Sequence, residues 1–139
     1  MTAKEYLGQI YRINVHINIL RRQKEDLRSQ LYHGSGGMQI KERVQTSPDG
    51  DPYIKLIAKI DTLDRKIDRE LAKLTGIKDK ITGQIRGLDD PKYSELLFDR
   101  YVMLMKWEDI ADSIGYDLRW THRLHGRALE AFRNKYIDH

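Results

Sequence analysis

The sequence predicts an all-α protein: a long antiparallel helical hairpin, coiled-coil-like, followed by a C-terminal helix-turn-helix domain. Three observations predict it. Residues 3–31 and 52–88 each carry apolar side chains in alternating steps of three and four, the spacing of a helical seam. Asp51-Pro52 and Asp90-Pro91 place a capping carboxylate before a proline whose missing N–H costs nothing in the first helical turn. Two amphipathic segments near the C-terminus are joined by a short turn at Gly115.

The first helix spans about Ala3 to Leu31, with a seam of Tyr6, Ile10, Ile13, Ile17, Leu20, Leu27 and Leu31 interrupted only by Lys24. A second stripe, Leu7, Tyr11, Val15 and Ile19, lies along a neighbouring face. That is more apolar surface than one partner helix covers, so two partners are expected, the second being either the C-terminal domain folding back or another copy of the chain. Residues 32–52 hold four of the ten glycines and two of the three prolines, which predicts a long loop; within it Met38–Val44 reads as a short strand or a short helix.

The second long helix begins at Pro52, with the seam Ile60, Leu63, Ile67, Leu74, Ile77, Ile81 and Leu88, and with Leu71 and Ile85 beside the polar positions Glu70 and Gln84. At 1.5 Å per residue the two helices would reach roughly 43 and 54 Å. Gly76, Gly83 and Gly87 read as a bend, an early stop, or plain solvent-face glycines. The charges of residues 61–70 read as a solvated face with i,i+4 pairs, or as the determinant of coiled-coil partner choice. Pro91 opens a third helix running to roughly Tyr101. Trp107–Ile114 forms a two-turn helix ended by Gly115, and Asp117 caps a last helix to about Tyr136. The domain boundaries are therefore 1–88 for the hairpin and 89–139 for the helix-turn-helix domain.

The 139 residues carry a net charge of +4, with 40% hydrophobic and 33% charged side chains. No apolar run approaches the roughly 18 residues a bilayer crossing takes, and the N-terminal stretch lacks the apolar core of a secretory signal. We expect no membrane association, a mature protein starting at Met1, and a cytoplasmic location. The last accords with a chain that has no cysteine. Charge is unevenly placed: residues 89–116 hold three cationic against seven acidic side chains, net −4, whereas residues 117–137 hold five against two, net +3.

The stretch W-E-D-I-A-D-S-I-G-Y-D-L-R-W-T-H-R-L-H-G-R-A-L-E-A-F-R, Trp107 to Arg133, resembles the helix-turn-helix of sigma-70 region 4. Ile110-Ala111, Gly115, Tyr116 and Arg127-Ala128-Leu129 stand at the family's patterned places, although Asp117 replaces its more usual serine cap. With the hairpin ahead of it, the chain is similar in outline to the sigma-like late transcription regulators of Firmicute phages and integrative elements, the ArpU/RinA type. The resemblance implies a sequence-specific DNA-binding transcriptional regulator of late genes, the hairpin serving as a dimerisation or RNA polymerase contact surface.

The residues support that implication independently. Ala111 suits a close helix crossing, while Ile110, Ile114, Leu124 and Leu129 are core candidates. Arg119, Trp120, His122, Arg123 and Arg127 remain on the outward face. Arginine pairs bidentately with guanine or phosphate, and the N-terminal half of a recognition helix is what enters the major groove. Arg119, His122 and Arg123 are the base-edge candidates; Arg127, Arg133 and Lys135 are the phosphate candidates. Trp120 stands where the family suggests a basic reader, and either packs within the protein or meets thymine methyls.

His122 and His125 have the i,i+3 spacing of a metal pair but no evident third ligand, so no metal or other cofactor is expected. Asp89-Asp90 is accounted for by capping, and GSGG at 34–37 lacks the lysine of a phosphate loop, so no enzyme is expected. Two other functions remain open: a small terminase subunit, distinguished by assembly into a ring, and a polymerase-binding inhibitor without salt-sensitive DNA binding.

Overall fold

The computed structural model describes residues 1–32 and 51–138; residues 33–50, including the Met38–Val44 segment and the 34–37 glycine cluster, lie outside the described residues. Every regular element among the described residues is helical.

Thr2 opens α1 (Ala3–Leu7) with a capping box: its hydroxyl accepts from the Glu5 N–H at 3.1 Å, and the Glu5 carboxylate accepts from the Thr2 N–H at 3.4 Å. The sequence predicts an unbroken helix from Ala3, but the chain breaks stride at Gly8 before α2 (Gln9–Tyr32). The cause is local. The Arg12 guanidinium donates back to the Glu5 carbonyl at 2.9 Å, and it crosses so near Gly8 that a Cβ there would stand 3.2 Å from Nη1. A side-chain donor thus takes a helix carbonyl beside the one residue with room for it.

Asp51 accepts from the Tyr53 N–H at 2.9 Å and starts α3 (Pro52–Arg86). Gly76 and Gly83 lie inside α3 with open space around them, so they neither end nor obstruct it. Gly87 comes just after the last turn, and a Cβ there would collide with the Tyr136 hydroxyl.

Contacts group Val15–Ala72 into one compact unit and Met1–Asn14 with Lys73–His139 into another. In the first unit Ile17, Leu31, Leu63 and Ile67 are buried, and Lys24, the polar break in the first seam, pairs with Asp64 at 2.5 Å. Neighbours run in opposite order along the two helices. His16, Ile19 and Leu20 share a groove with Lys66, Arg69 and Glu70, while Leu31 and Tyr32 share another with Tyr53, Ile57 and Ile60.

In the second unit Asp90 accepts from the Lys92 N–H at 2.9 Å and starts α4 (Pro91–Leu97). The sequence predicts α-helix through Tyr101; instead the chain widens into a π-helical turn, Phe98–Val102, closed by the Met103 N–H on the Phe98 carbonyl at 3.0 Å. The wider turn is tied to residues 103–105. Arg100 donates to the Met105 carbonyl and the Met105 N–H donates to the Asp99 carbonyl, both at 2.9 Å, around a Leu104 held at φ 57°.

Next come α5 (Trp107–Ile114) and α6 (Leu118–Phe132), the latter ending in a second π-helical turn, Arg133–Ile137. Between α5 and α6, Gly115 takes the left-handed conformation (φ 75°, ψ 24°) that an L side chain resists. Asp117 then accepts from the Trp120 N–H at 2.7 Å. Around α6 pack α1, α4 and α5. Leu7, Ile81, Ile85, Leu96, Leu97, Ile110 and Phe132 form the sealed core, with the Phe132 ring 5.8 Å from Tyr6 and 4.9 Å from Tyr136. The off-seam stripe of the N-terminal helices therefore divides: Leu7 is buried within its own chain, whereas Tyr11 is 60% and Ile19 51% exposed.

Candidate nucleic-acid interface

The orientation of α6 is set by its burial pattern. Thr121, Leu124, Ala128 and Phe132 are buried at steps of three and four, and the one polar member, Thr121, donates its hydroxyl to the Asp117 carbonyl at 2.7 Å. The opposite side holds Arg119, Arg123 and Arg127, four residues apart and all exposed. Among the described residues no carboxylate pairs with any of the three. Such a row carries its full charge and its donors to solvent.

Trp120 is half-buried and packs on its own neighbours: its ring meets Tyr116 edge-on at 6.2 Å, and the Arg127 guanidinium lies 5.3 Å from its centroid. It thereby stiffens Arg127, since a guanidinium over an indole is held by the ring quadrupole. Arg133 and Lys135 stand apart from this row, in the π-helical turn. Arg133 pairs with Asp138 at 3.4 Å; Lys135 donates to the Gly87 carbonyl and has Asp89 at 3.9 Å, so it serves the end of α3.

The two histidines separate in role. His122 is exposed with its ring 4.7 Å from Trp107. His125 is half-buried: its Nε2 lies 2.7 Å from the Tyr101 hydroxyl and its ring 4.5 Å from Trp107. The helical step from Thr121 explains this, because residue 125 falls one turn on, over the buried side. Burial, helped by the charges of Lys4, Arg100 and His122, pushes the His125 imidazole down to about 4, and burial pushes the Tyr101 phenol up to about 12. Both are neutral near pH 7. Arg100 lies 4.5 Å from the Trp107 ring centroid and extends the stack. Sequence reasoning missed Arg100, Tyr101 and Trp107 as a group; the His122/His125 spacing was the signal, and a shared aromatic support was its meaning. No group of three or more side chains able to hold a metal ion occurs among the described residues, and no helix described is long and apolar enough to cross a membrane.

No family model, no curated protein and no solved structure matches this chain.

Proposed function

We propose that this chain is a sequence-specific DNA-binding transcriptional regulator of a phage or integrative element, acting on late genes. In this reading α5 and α6 form a helix-turn-helix and α2 with α3 a helical hairpin. The observation that carries the reading is the unpaired arginine row Arg119, Arg123 and Arg127, opposite the buried face of α6. The resemblance of Trp107–Arg133 to sigma-70 region 4 supports it.

Mechanistically, the N-terminal half of α6 enters the major groove, where Arg119 and Arg123 pair with guanine edges and His122 contacts an adjacent base. Arg127, steadied by Trp120, takes a phosphate. Arg133 flanks the duplex, and Lys135 reaches phosphate only by leaving the Gly87 carbonyl. The hairpin dimerises the protein or meets RNA polymerase, in the cytoplasm where both are found.

The test is selection of bound duplexes from a random pool by the full chain. A shared motif whose affinity falls steeply with salt supports the reading. Enrichment of no motif, with binding indifferent to salt, refutes it, and assembly into a ring turns the reading towards a packaging subunit.

A further inference from the structure

Within the unit that holds α6, but built from other residues, lies a cavity of about 600 Å³, inside the roughly 300–1,000 Å³ range of ligand sites. Its lining comes from the α1–α2 junction and from the segment after α4. Lys4, Arg12 and Arg100 bring three positive charges, while Tyr11, Tyr101 and Leu104 bring apolar surface. Glu5 is the one acid among its lining residues, and that carboxylate is engaged in the capping box with Thr2. The two guanidiniums each donate one hydrogen bond to a carbonyl, Arg12 to Glu5 and Arg100 to Met105, both at 2.9 Å. A carbonyl does not neutralise a guanidinium, which has five N–H donors, so charge and donors remain available. The same field is felt nearby: Lys4 and Arg100 help keep His125 neutral.

The backbone at this place is also unusual. Leu104 sits at φ 57° two residues past the end of a π-helical turn, and it is the one non-glycine residue among those described with a positive φ. A γ-branched side chain in that region is strained, and strain of this kind concentrates where a surface binds something. At the cavity Tyr11 is 60% and Leu104 38% exposed, and Met103, the chain neighbour of Leu104 outside the lining, is 59% exposed. A small molecule inside the cavity would leave Met103 uncovered. A polypeptide laid across it would not.

We propose that this cavity is a docking site for an acidic, leucine-bearing segment of a partner protein, its apolar side chain entering against Tyr11, Tyr101 and Leu104 while its carboxylates meet Lys4, Arg12 and Arg100. The charge balance of the lining selects the sign of the partner, and the exposed rim selects a chain over a small ligand. The site is independent of the DNA reading and goes beyond it.

The experiment titrates the full chain into a fluorescein-labelled peptide of alternating glutamate and leucine pairs, read by anisotropy. Saturable binding is expected, weakened about tenfold or more by Arg12→Glu, because a rim cation becomes an anion facing carboxylates. Leu104→Gly is expected to weaken binding several-fold while the helical circular dichroism of the wild type is retained, since glycine adopts φ 57° freely; loss of binding with that signal intact is not loss of fold. Absence of binding overturns the proposal. So does equal affinity for a peptide with alanine in place of leucine, displacement of the peptide by duplex DNA, or uptake of dodecanoate without uptake of the peptide.

Discussion

Acid should loosen this protein through His125 before it protonates the carboxylates. In the folded chain the imidazole is pushed down to about 4, whereas in the unfolded chain it returns to the ordinary value of 6.5. Between those values the unfolded state binds a proton that the folded state refuses, so stability falls as pH falls, and the loss is complete only below about 4. From pH 7 to pH 5 the two-state expression gives about 1.8 kcal/mol for a sealed group, and the half-buried position reduces this to about 1 kcal/mol. The assay is urea denaturation at a series of pH values, comparing wild type with His125→Gln, which keeps a partner for the Tyr101 hydroxyl but does not titrate. Asp99, raised by burial and by Glu95, acts in the opposite sense at lower pH, and the comparison subtracts it. The wild type should lose about 1 kcal/mol more than the variant between pH 7 and 5. Parallel curves, or a His125 ring proton that titrates near 6.5 by NMR, would refute the reasoning.

Four further outcomes are expected. Arg123→Ala should cost about 1–3 kcal/mol on a selected site and little on random DNA, whereas Arg127→Ala should weaken both alike and lower the salt slope by about one; equal behaviour of the two would undo the division between base and phosphate contacts. Gly126→Ala should stabilise the fold by about 1 kcal/mol, because Gly126 is exposed in mid-helix with open space where the methyl would go; a lower melting temperature would contradict that geometry. Phe132→Ala should cost about 3–5 kcal/mol in denaturant, since the ring is wholly buried between Tyr6 and Tyr136; a loss under about 1 kcal/mol would show that the core there is not closed. Val15→Lys should convert a dimer to a folded monomer by light scattering, and a wild type already monomeric at micromolar concentration removes the stripe as a self-association surface.

The sequence is legible wherever a few neighbouring residues decide the outcome. Asp51, Asp90 and Asp117 each satisfy an N–H two or three residues on, so their caps are written locally. Gly115 is legible for the same reason: its conformation is its own. The burial of Ile17, Leu63, Ile67 and Ile81 comes from period alone. The break at Gly8 was hidden because it depends on where the Arg12 side chain turns, and the π-helical turn at Phe98 because it depends on contacts across Leu104. Lys135 carries the charge of a phosphate contact in any sequence reading. Only folding shows that its ammonium meets the Gly87 carbonyl, 48 residues away. Burial of Leu7 needed α1 to pack on α6; the stripe called for a second partner, but its spacing alone did not choose between the chain's own C-terminal end and another copy.

The two cationic surfaces of this unit differ in a way that bears on what each recognises. Arg119, Arg123 and Arg127 stand on regular helix, so their Cα atoms advance by about 6 Å per step along one line. Their charges face no carboxylate among the described residues, so all three keep their donors for groups beyond the protein surface. Lys4, Arg12 and Arg100 instead come from three separate turns of the chain, the two arginines fixed by the carbonyls of Glu5 and Met105 and by the Trp107 ring, around a cavity with an apolar share. Charges placed unevenly about a hollow suit one shape. The stack that joins the two surfaces runs from Arg100 through Trp107 to His122, so the ring supporting the cavity's arginine also touches a residue of α6. Occupying the cavity and engaging α6 therefore share one aromatic side chain. Any energetic coupling between the two sites should pass through Trp107, and should fall when that ring is replaced by leucine.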